Sequence, residues 1–397
     1  MPAAMRSDHL QASAAIEMCK PHLALTLTTA AANIVLTLGY HRESNMKTDS
    51  ERTRQSKIFY FWMVYIMDTA FSIRLGRMSV IRDCDIDVPM LDSRSGLPEG
   101  AVDVLRYWVD LGKISGHIIE QLYSPSALRQ TLQQRSASAT RLAHDLEVAW
   151  AARQKTAPQS DNLPPGFHHL LYESDAILHY STLALVQHAT MSSSLSESPA
   201  LDTARHALKL TVTLMDTQQD LPEYVWAAYC HWALLHAPFT PFTVTFCHVI
   251  ANPTTAHEDL ALLASFVKAL EALSHLSDGV TKLHRLCDIF QKVAELYVQA
   301  KAQEANRAVV PTNTAIQPDM GSMEPAINDI DGYLSTIGFA PPMPTTMNGG
   351  TEDSSIDQYF DADYLNEWFS GNSSLMGLLE QDFTLPGGFD PNYLPGA

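Results

Sequence analysis

The chain has 397 residues, of which 46% are hydrophobic, and its formal net charge is −18. This composition supports one large core or two smaller ones. It excludes a disulfide framework, because the five cysteines are odd in number and widely spaced, and it excludes a strongly basic nucleic-acid binder.

The negative charge is concentrated at the C-terminal end. After Arg307 there are 13 acidic residues and no Lys or Arg, whereas the first 307 residues carry 26 basic and 31 acidic residues. Binding to DNA requires a basic face that displaces counterions from the phosphates. The sequence therefore predicts that the chain contacts DNA only indirectly.

The first predicted element lies between Lys20 and Arg42, which enclose 21 residues without a formal charge. A membrane-spanning helix needs about 20 predominantly apolar residues, and this segment contains Pro21, Asn33 and four threonines. We therefore expect a buried core helix that ends at Gly39, with no membrane contact.

The second predicted element is rich in aromatic residues. Thr48 and Glu51 have the spacing of a capping box, which predicts a helix start, and the helix continues through residues 58–71. Its apolar residues occupy nearly every face, so the helix should be buried almost all round. Arg74 and Gly76 predict its end, as a cation at the helix C-terminus and a left-handed cap.

Residues 154–166 have the composition of a linker, and helical patterns return in the second block, 167–307. Its final helix places apolar residues at alternating gaps of three and four, which predicts a core-facing stripe or, alternatively, a coiled-coil dimer contact. The stripe consists of Leu283, Leu286, Phe290, Val293, Tyr297 and Ala300.

Motifs of common enzymes are missing from the sequence: there is no GxSxG, GxxxxGK[ST], GxGxxG after a strand or HExxH. We therefore predict no catalytic, cofactor-binding or metal site. One group of potential zinc ligands is more simply interpreted as core cysteines and hydrogen-bonded histidines. It comprises Cys230, His231, His236, Cys247, His248 and His257.

Residues 57–89 resemble the middle homology region of fungal zinc-cluster transcription factors. The pattern is a basic residue, Phe-Trp, Tyr, Asp, Leu-Gly-Arg, Ile and Asp-Ile-Asp-x-Pro. It is matched here by Lys57, Phe61, Trp62, Tyr65, Asp68, Leu75, Gly76, Arg77, Ile81, Asp85, Ile86, Asp87 and Pro89. Residues 238–263 and 365–379 resemble later segments of the same family.

The resemblance implies a helical regulatory domain, a nuclear location and control of pathway-specific genes, such as a metabolic or secondary-metabolite cluster. The family's DNA reader is an N-terminal cluster of six cysteines that holds two zinc ions. Because only Cys19 precedes residue 80, we expect no such cluster and no bound zinc here. The sequence also departs from the family at Thr69, where a basic residue is usual, and at Met78, where proline is usual.

The motif residues are predicted to act structurally. Large aromatic residues in a helix are usually core, which applies to Phe61, Trp62 and Tyr65. We expect Asp68 and Arg77 to pair across the turn and to fix residues 83–89 against the helix. An effector-binding groove beside this turn is the functional alternative.

The C-terminal tail combines acidic and aromatic residues, which is typical of acidic activation segments that enter a coactivator groove as a short amphipathic helix. Docking of the tail onto its own helical domain is the alternative. The residues predicted to carry activation are Phe360, Tyr364, Leu365, Trp368, Phe369, Met376, Leu378 and Leu379.

Together these observations predict an all-α regulatory domain in residues 1–307, with possible sub-blocks 1–153 and 167–307. A disordered linker, 308–355, and the acidic tail, 356–397, follow. The predicted function is transcriptional regulation in the nucleus, without enzymatic activity. Its partners would be the transcription machinery and a DNA-binding protein or a second copy of the chain. The alternative is a helical ligand-sensing or scaffold protein.

Overall fold

A computed structural model describes residues 21–97, 99–156, 166–189, 198–217, 221–235, 237 and 239–309. Throughout these ranges the regular secondary structure is helical, which confirms the predicted all-α class. The α-helices are α1 (Pro21–Thr37), α2 (Glu51–Leu75), α3 (Glu99–Ile118), α4 (Leu132–Lys155), α5 (Phe167–His188), α6 (Pro199–Thr217), α7 (Glu223–Tyr229), α8 (Thr240–Ala251), α9 (His257–Leu273) and α10 (Asp278–Val309).

Helix α1 is a core helix, as predicted from its uncharged sequence. Its small residues Ala24, Ala31 and Ala32 are buried and allow α2 to pack against it. Gly39 follows with φ of 69°, a left-handed conformation that L side chains rarely adopt.

Helix α2 begins later than the capping-box spacing indicated. Ser50, not Thr48, is the N-cap, and its hydroxyl accepts a hydrogen bond from the Thr53 amide at 3.3 Å. Gly76 ends the helix at φ of 62°, as predicted. Helix α2 is long and apolar enough to span a membrane, but 72% of its most apolar stretch is buried within the protein, which is the pattern of a core helix.

Helices α2 and α3 approach each other closely at Gly112. A Cβ atom at this position would lie 2.6 Å from Oγ1 of Thr69 and 3.3 Å from Cε1 of Tyr65. The Thr69 hydroxyl is held on its own helix by the carbonyl of Tyr65, at 2.9 Å. The crossing therefore depends on the absence of a side chain on α3 at this point.

Helix α3 ends in a π-helical turn, Ile119–Tyr123, and a capping box between Thr131 and Gln134 starts α4. Helix α4 packs against both α3 and α5. It thereby joins the first block of the chain to the second.

The second block follows the predicted helical pattern with small shifts in the boundaries. Helix α7 continues into a π-helical turn, Cys230–Leu234, and α9 begins at His257 without a side-chain cap. Helix α10 buries the predicted stripe from Leu283 to Tyr297, whereas Ala300 is half-exposed. The core-facing interpretation of this stripe is therefore confirmed.

The largest apolar cluster crosses the boundary between the two blocks. Met67, Phe71 and Leu75 of α2 pack in one cluster with residues of α5 to α10. Arg74 lies in the last turn of α2, as predicted, where it is buried and donates a hydrogen bond to the carbonyl of Ala237, so it links the two blocks. The two blocks therefore share a core.

Candidate functional site

The aromatic residues of the motif form a buried layer on α2. Phe61, Trp62 and Tyr65 are at most 3% exposed. The Trp62 ring makes edge-to-face contacts with both neighbours, at centroid distances of 5.1 Å to Phe61 and 5.4 Å to Tyr65. Aromatic pairs favour this geometry because the positive ring edge meets the negative face.

Two of these aromatics also hold the loop that follows α2. Trp62 donates its indole N–H to the carbonyl of Pro89 at 3.0 Å, and the Tyr65 hydroxyl donates to Oδ1 of Asp83 at 2.5 Å. Burial, together with the hydrogen bond to Asp83, raises the pKa of Tyr65, so the hydroxyl remains a donor. Trp62 and Tyr65 thus each hold the loop through one polar atom.

Asp68 has a different partner from the one predicted. Its carboxylate accepts a hydrogen bond from the backbone N–H of Ile81 at 2.9 Å, whereas Arg77 is exposed beyond the Gly76 cap. The left-handed turn at Gly76 directs the chain back over Asp68, so a backbone amide reaches the buried carboxylate before the Arg77 side chain does. Burial raises the pKa of Asp68 to about 6, although the Ile81 N–H acts in the opposite direction.

The Asp-Ile-Asp-x-Pro part of the motif attaches the loop to the segment that connects α1 to α2. The amide of Glu43 donates to Oδ1 of Asp87 at 2.7 Å, and the carbonyl of His41 accepts from the amides of Asp87 and Val88. Asp85 forms an exposed ion pair with Arg42 at 3.3 Å. The loop is therefore held both by α2 and by the segment that precedes it.

Both departures from the family pattern have a clear place in the structure. Thr69 is 2% exposed and faces Gly112 of α3, where a long basic side chain would be buried. Met78 is 57% exposed, so the position usually occupied by proline lies at the surface. These substitutions leave the hydrogen bonds of the motif intact.

Behind the motif helix lies a cavity of about 420 Å³. Helices α2 and α3 line one side, and α5 and α7 line the other. Apolar side chains dominate its wall, among them Met63, Met67, Ile73, Leu111, Leu178 and Val225.

One polar network borders this cavity. Asp175 of α5 accepts hydrogen bonds from the Trp108 indole N–H and from Nε of Arg153, both at 2.8 Å. The Asp175 and Arg153 side chains are each only 1% exposed. Burial raises the pKa of Asp175 to about 6 against the opposing effect of Arg153. Because the two charges compensate each other, the network adds little net charge to the wall.

Tyr229 of α7 also lines the cavity. Its hydroxyl is buried and has no hydrogen-bond partner within the described part of the chain. Burial raises the pKa of this hydroxyl, so it stays protonated and retains a proton to donate.

The sequence indicated neither the cavity nor Tyr229. The cavity lies along α2, whereas the predicted alternative was a groove beside the turn after α2. Its lining residues are ordinary core types that come from four helices, so no local spacing marks them. The sequence also gave no indication of the Arg153–Asp175 pair, since its members lie 22 residues apart.

The buried histidines of the predicted cysteine and histidine group contact other side chains of the protein. Nε2 of His231 lies 3.0 Å from the Ser277 hydroxyl, and Nδ1 of His248 lies 2.7 Å from a carboxylate oxygen of Asp259. Burial raises the pKa of Asp259, but His248 and Arg205 outweigh this effect and lower it to about 2. Among the described residues no cluster of three or more potential metal ligands occurs.

The residues predicted to carry activation, Phe360 to Leu379, lie outside the described residues. The same holds for residues 310–397 as a whole and for Cys19 and His236.

Comparison with known proteins agrees with the motif. Residues 15–151 match the fungal-specific transcription factor domain. Two transcriptional regulatory proteins of Schizosaccharomyces pombe are each 25% identical to the chain, over 70% and 90% of its length and 47% and 49% of theirs. An ABC-transporter-regulating transcription factor of Aspergillus oryzae is 23% identical over 72% of this chain and 35% of its own. No solved structure gives a significant match.

The motif on the buried helix α2 lies within residues 15–151, the part of the chain that matches the fungal-specific transcription factor domain. Over most of its length the chain is also similar to transcriptional regulatory proteins. It spans about half the length of the two Schizosaccharomyces pombe relatives.

Proposed function

We propose that this protein is a pathway-specific transcriptional regulator of the fungal zinc-cluster factor type. The observation that carries this proposal is the motif of residues 57–89, whose polar atoms hold the loop Ile81–Pro89 on α2, within a region that matches the fungal-specific transcription factor domain.

The helical domain is the regulatory part in this proposal, and the acidic tail is the activating part. Thirteen acidic residues and no basic ones follow Arg307, and aromatic residues are interleaved among them. Acidic residues keep such aromatics solvated until a coactivator groove receives them. The corresponding partner is the transcription machinery, and the corresponding location is the nucleus.

DNA contact is indirect in this proposal. The first 307 residues are nearly balanced in charge, which gives them little to exchange for the counterions of DNA. A DNA-binding partner protein or a homodimer would supply the contact. Names of relatives that refer to transcriptional regulation and to regulation of an ABC transporter support control of a defined set of genes.

The test is a reporter assay in yeast with the full chain and with residues 308–397, each fused to a heterologous DNA-binding domain. We expect strong activation from both and loss of most of it in the double variant Trp368→Ala, Phe369→Ala. The double variant Phe389→Ala, Tyr393→Ala, which also removes two aromatic rings but outside the predicted activation residues, is the control. A silent but well-expressed tail would refute the activating role.

A specific observation also favours a sensing role as the second candidate. The cavity between α2, α3, α5 and α7 has the size and apolar lining of small-molecule sites, which generally range from about 300 to 1,000 Å³. A scaffold protein would have no need of such a cavity. Sensing and transcriptional regulation are compatible in one protein.

A further inference from the structure

Helices α2 and α5 lie on opposite sides of the cavity. Helix α2 packs against α1 and α3, and α5 packs against α4, α6, α7 and α8. Between α2 and α5 lies the space bordered by Met63, Met67 and Ile73 on one side and Leu178 on the other. A molecule in this space would therefore contact both blocks of the domain.

Most polar groups on the cavity wall already have partners within the protein. Ser174 and Thr182 donate to carbonyls of their own helix, at 2.6 Å and 2.8 Å. Each carboxylate oxygen of Asp175 accepts one hydrogen bond, from Trp108 or from Arg153. The Tyr229 hydroxyl differs because it is buried without a partner in the described residues. Its oxygen has almost no accessible surface, so a molecule in the cavity does not reach it, and the wall offers such a molecule mainly apolar contacts.

We propose that this cavity binds a neutral, largely apolar small molecule, held by apolar contacts with both blocks of the domain. Neutrality follows from the compensated Asp175–Arg153 pair, which leaves no free charge on the wall to receive an ion. The two methionines of α2 provide adaptable contacts that suit a flat or irregular apolar body.

Binding at this place would stabilise the association of the two blocks. A ligand that contacts α2 and α5 together binds the docked arrangement more tightly than any arrangement in which these helices separate, and it shifts the equilibrium accordingly. This consequence rests on the proposed function, because only a regulatory domain would transmit the change to transcription.

The experiment uses the purified full chain and two neutral aromatic ketones as probes. The first is 6-propionyl-2-dimethylaminonaphthalene, whose fluorescence reports an apolar environment. The second is the smaller 2-acetylnaphthalene. We expect saturable binding of one molecule per chain at micromolar concentration, blue-shifted emission of the first probe and a higher melting temperature with either. Absence of saturable binding by both ketones would overturn the proposal.

Two leucine substitutions locate the binding site. Ala70→Leu adds side-chain volume on the α2 wall of the cavity and should weaken binding at least tenfold. Ala264→Leu, at a similarly half-exposed helical alanine of α9 away from the cavity, should leave it unchanged. Equal binding by both variants would place the probes elsewhere and would also overturn the proposal.

The variant Tyr229→Phe tests whether binding depends on apolar contacts. It removes a hydroxyl that the cavity does not reach, so ketone binding should be unchanged. Without ligand its melting temperature should equal or exceed that of the parent, since an unpartnered buried hydroxyl has been removed. A several-fold loss of affinity would contradict the apolar mode of binding. Because activation by residues 308–397 alone does not involve the cavity, the tail fusion shows independently whether the proposed function itself fails.

Discussion

The motif region and the core of the second block are both buried and helical, but different interactions define them. On α2, Trp62, Tyr65 and Asp68 each use one polar atom to bind a particular atom of the following loop. On α8 and α10, Phe246 and Phe290 meet edge to face at 5.1 Å, and packing provides the contact. The first arrangement requires particular residues, whereas the second requires mainly volume.

This difference explains why the motif is recognisable in sequence. A hydrogen bond to a buried amide needs an acceptor at one position, and its loss leaves an unsatisfied group. Apolar cores accept many substitutions when the total volume is kept. We therefore expect the motif region to respond strongly to small chemical changes and the second core to respond weakly.

The largest effect is expected outside both regions, at the buried ion pair that joins α4 to α5. Arg153→Met should lower the free energy of unfolding by about 3–5 kcal/mol, because it leaves the buried Asp175 carboxylate without its countercharge. Urea unfolding followed by circular dichroism measures this loss. Addition of Asp175→Asn should recover much of it, and a double variant no more stable than the single one would contradict the explanation.

Asp68 tests the motif region directly. Asp68→Ala should cost about 1–3 kcal/mol, since the Ile81 amide loses its acceptor, whereas Asp68→Asn retains an acceptor oxygen and should cost less. Equal losses in the two variants would show that the hydrogen bond is not the cause.

The raised pKa of Asp68 also predicts a dependence on pH. The folded protein retains this proton up to about pH 6, whereas the unfolded chain releases it near pH 4. The Asp68 contribution to stability therefore falls as the pH rises from 4 to 7, by about 1–2 kcal/mol. The difference between the parent and Asp68→Asn across this range isolates the effect from that of Asp175.

Gly76 tests a part of the motif region whose role is purely conformational. Gly76→Ala should cost about 1–2 kcal/mol, since φ is 62° and no atom lies near the added Cβ. Gly116→Ala, on α3 and also without close neighbours, should instead stabilise the protein by about 0.5–1 kcal/mol. Thermal unfolding of the two variants should thus give shifts of opposite sign.

The smallest loss of stability is expected in the second core. Leu286→Met changes a fully buried residue of α10 but nearly conserves its volume, so it should cost below about 1.5 kcal/mol. A larger loss, comparable to that of Asp68→Ala, would show that this core is as strictly specified as the motif region.

The sequence predicted those features that depend on local spacing. The helical class, the core position of α1, the Gly76 cap and the buried stripe of α10 all follow from the periodicity of apolar residues or from single backbone requirements. The partner of Asp68 was wrong because the competing donor is a backbone amide, which every residue except proline carries and no sequence pattern marks. The cavity depends on the distance between four helices, and pairwise spacing along the chain does not determine this distance.

The bare backbone at Gly112 has a consequence for sequence tolerance. Since even one methyl group would lie 2.6 Å from the Thr69 hydroxyl, no residue larger than glycine fits unless Thr69 gives up its rotamer or α2 and α3 move apart. In a saturation library scored for folded protein, Gly112 should therefore be among the least tolerant positions of α3, although it carries no chemistry of its own. A glycine at this position would be as diagnostic of the α2–α3 packing as the aromatic residues are.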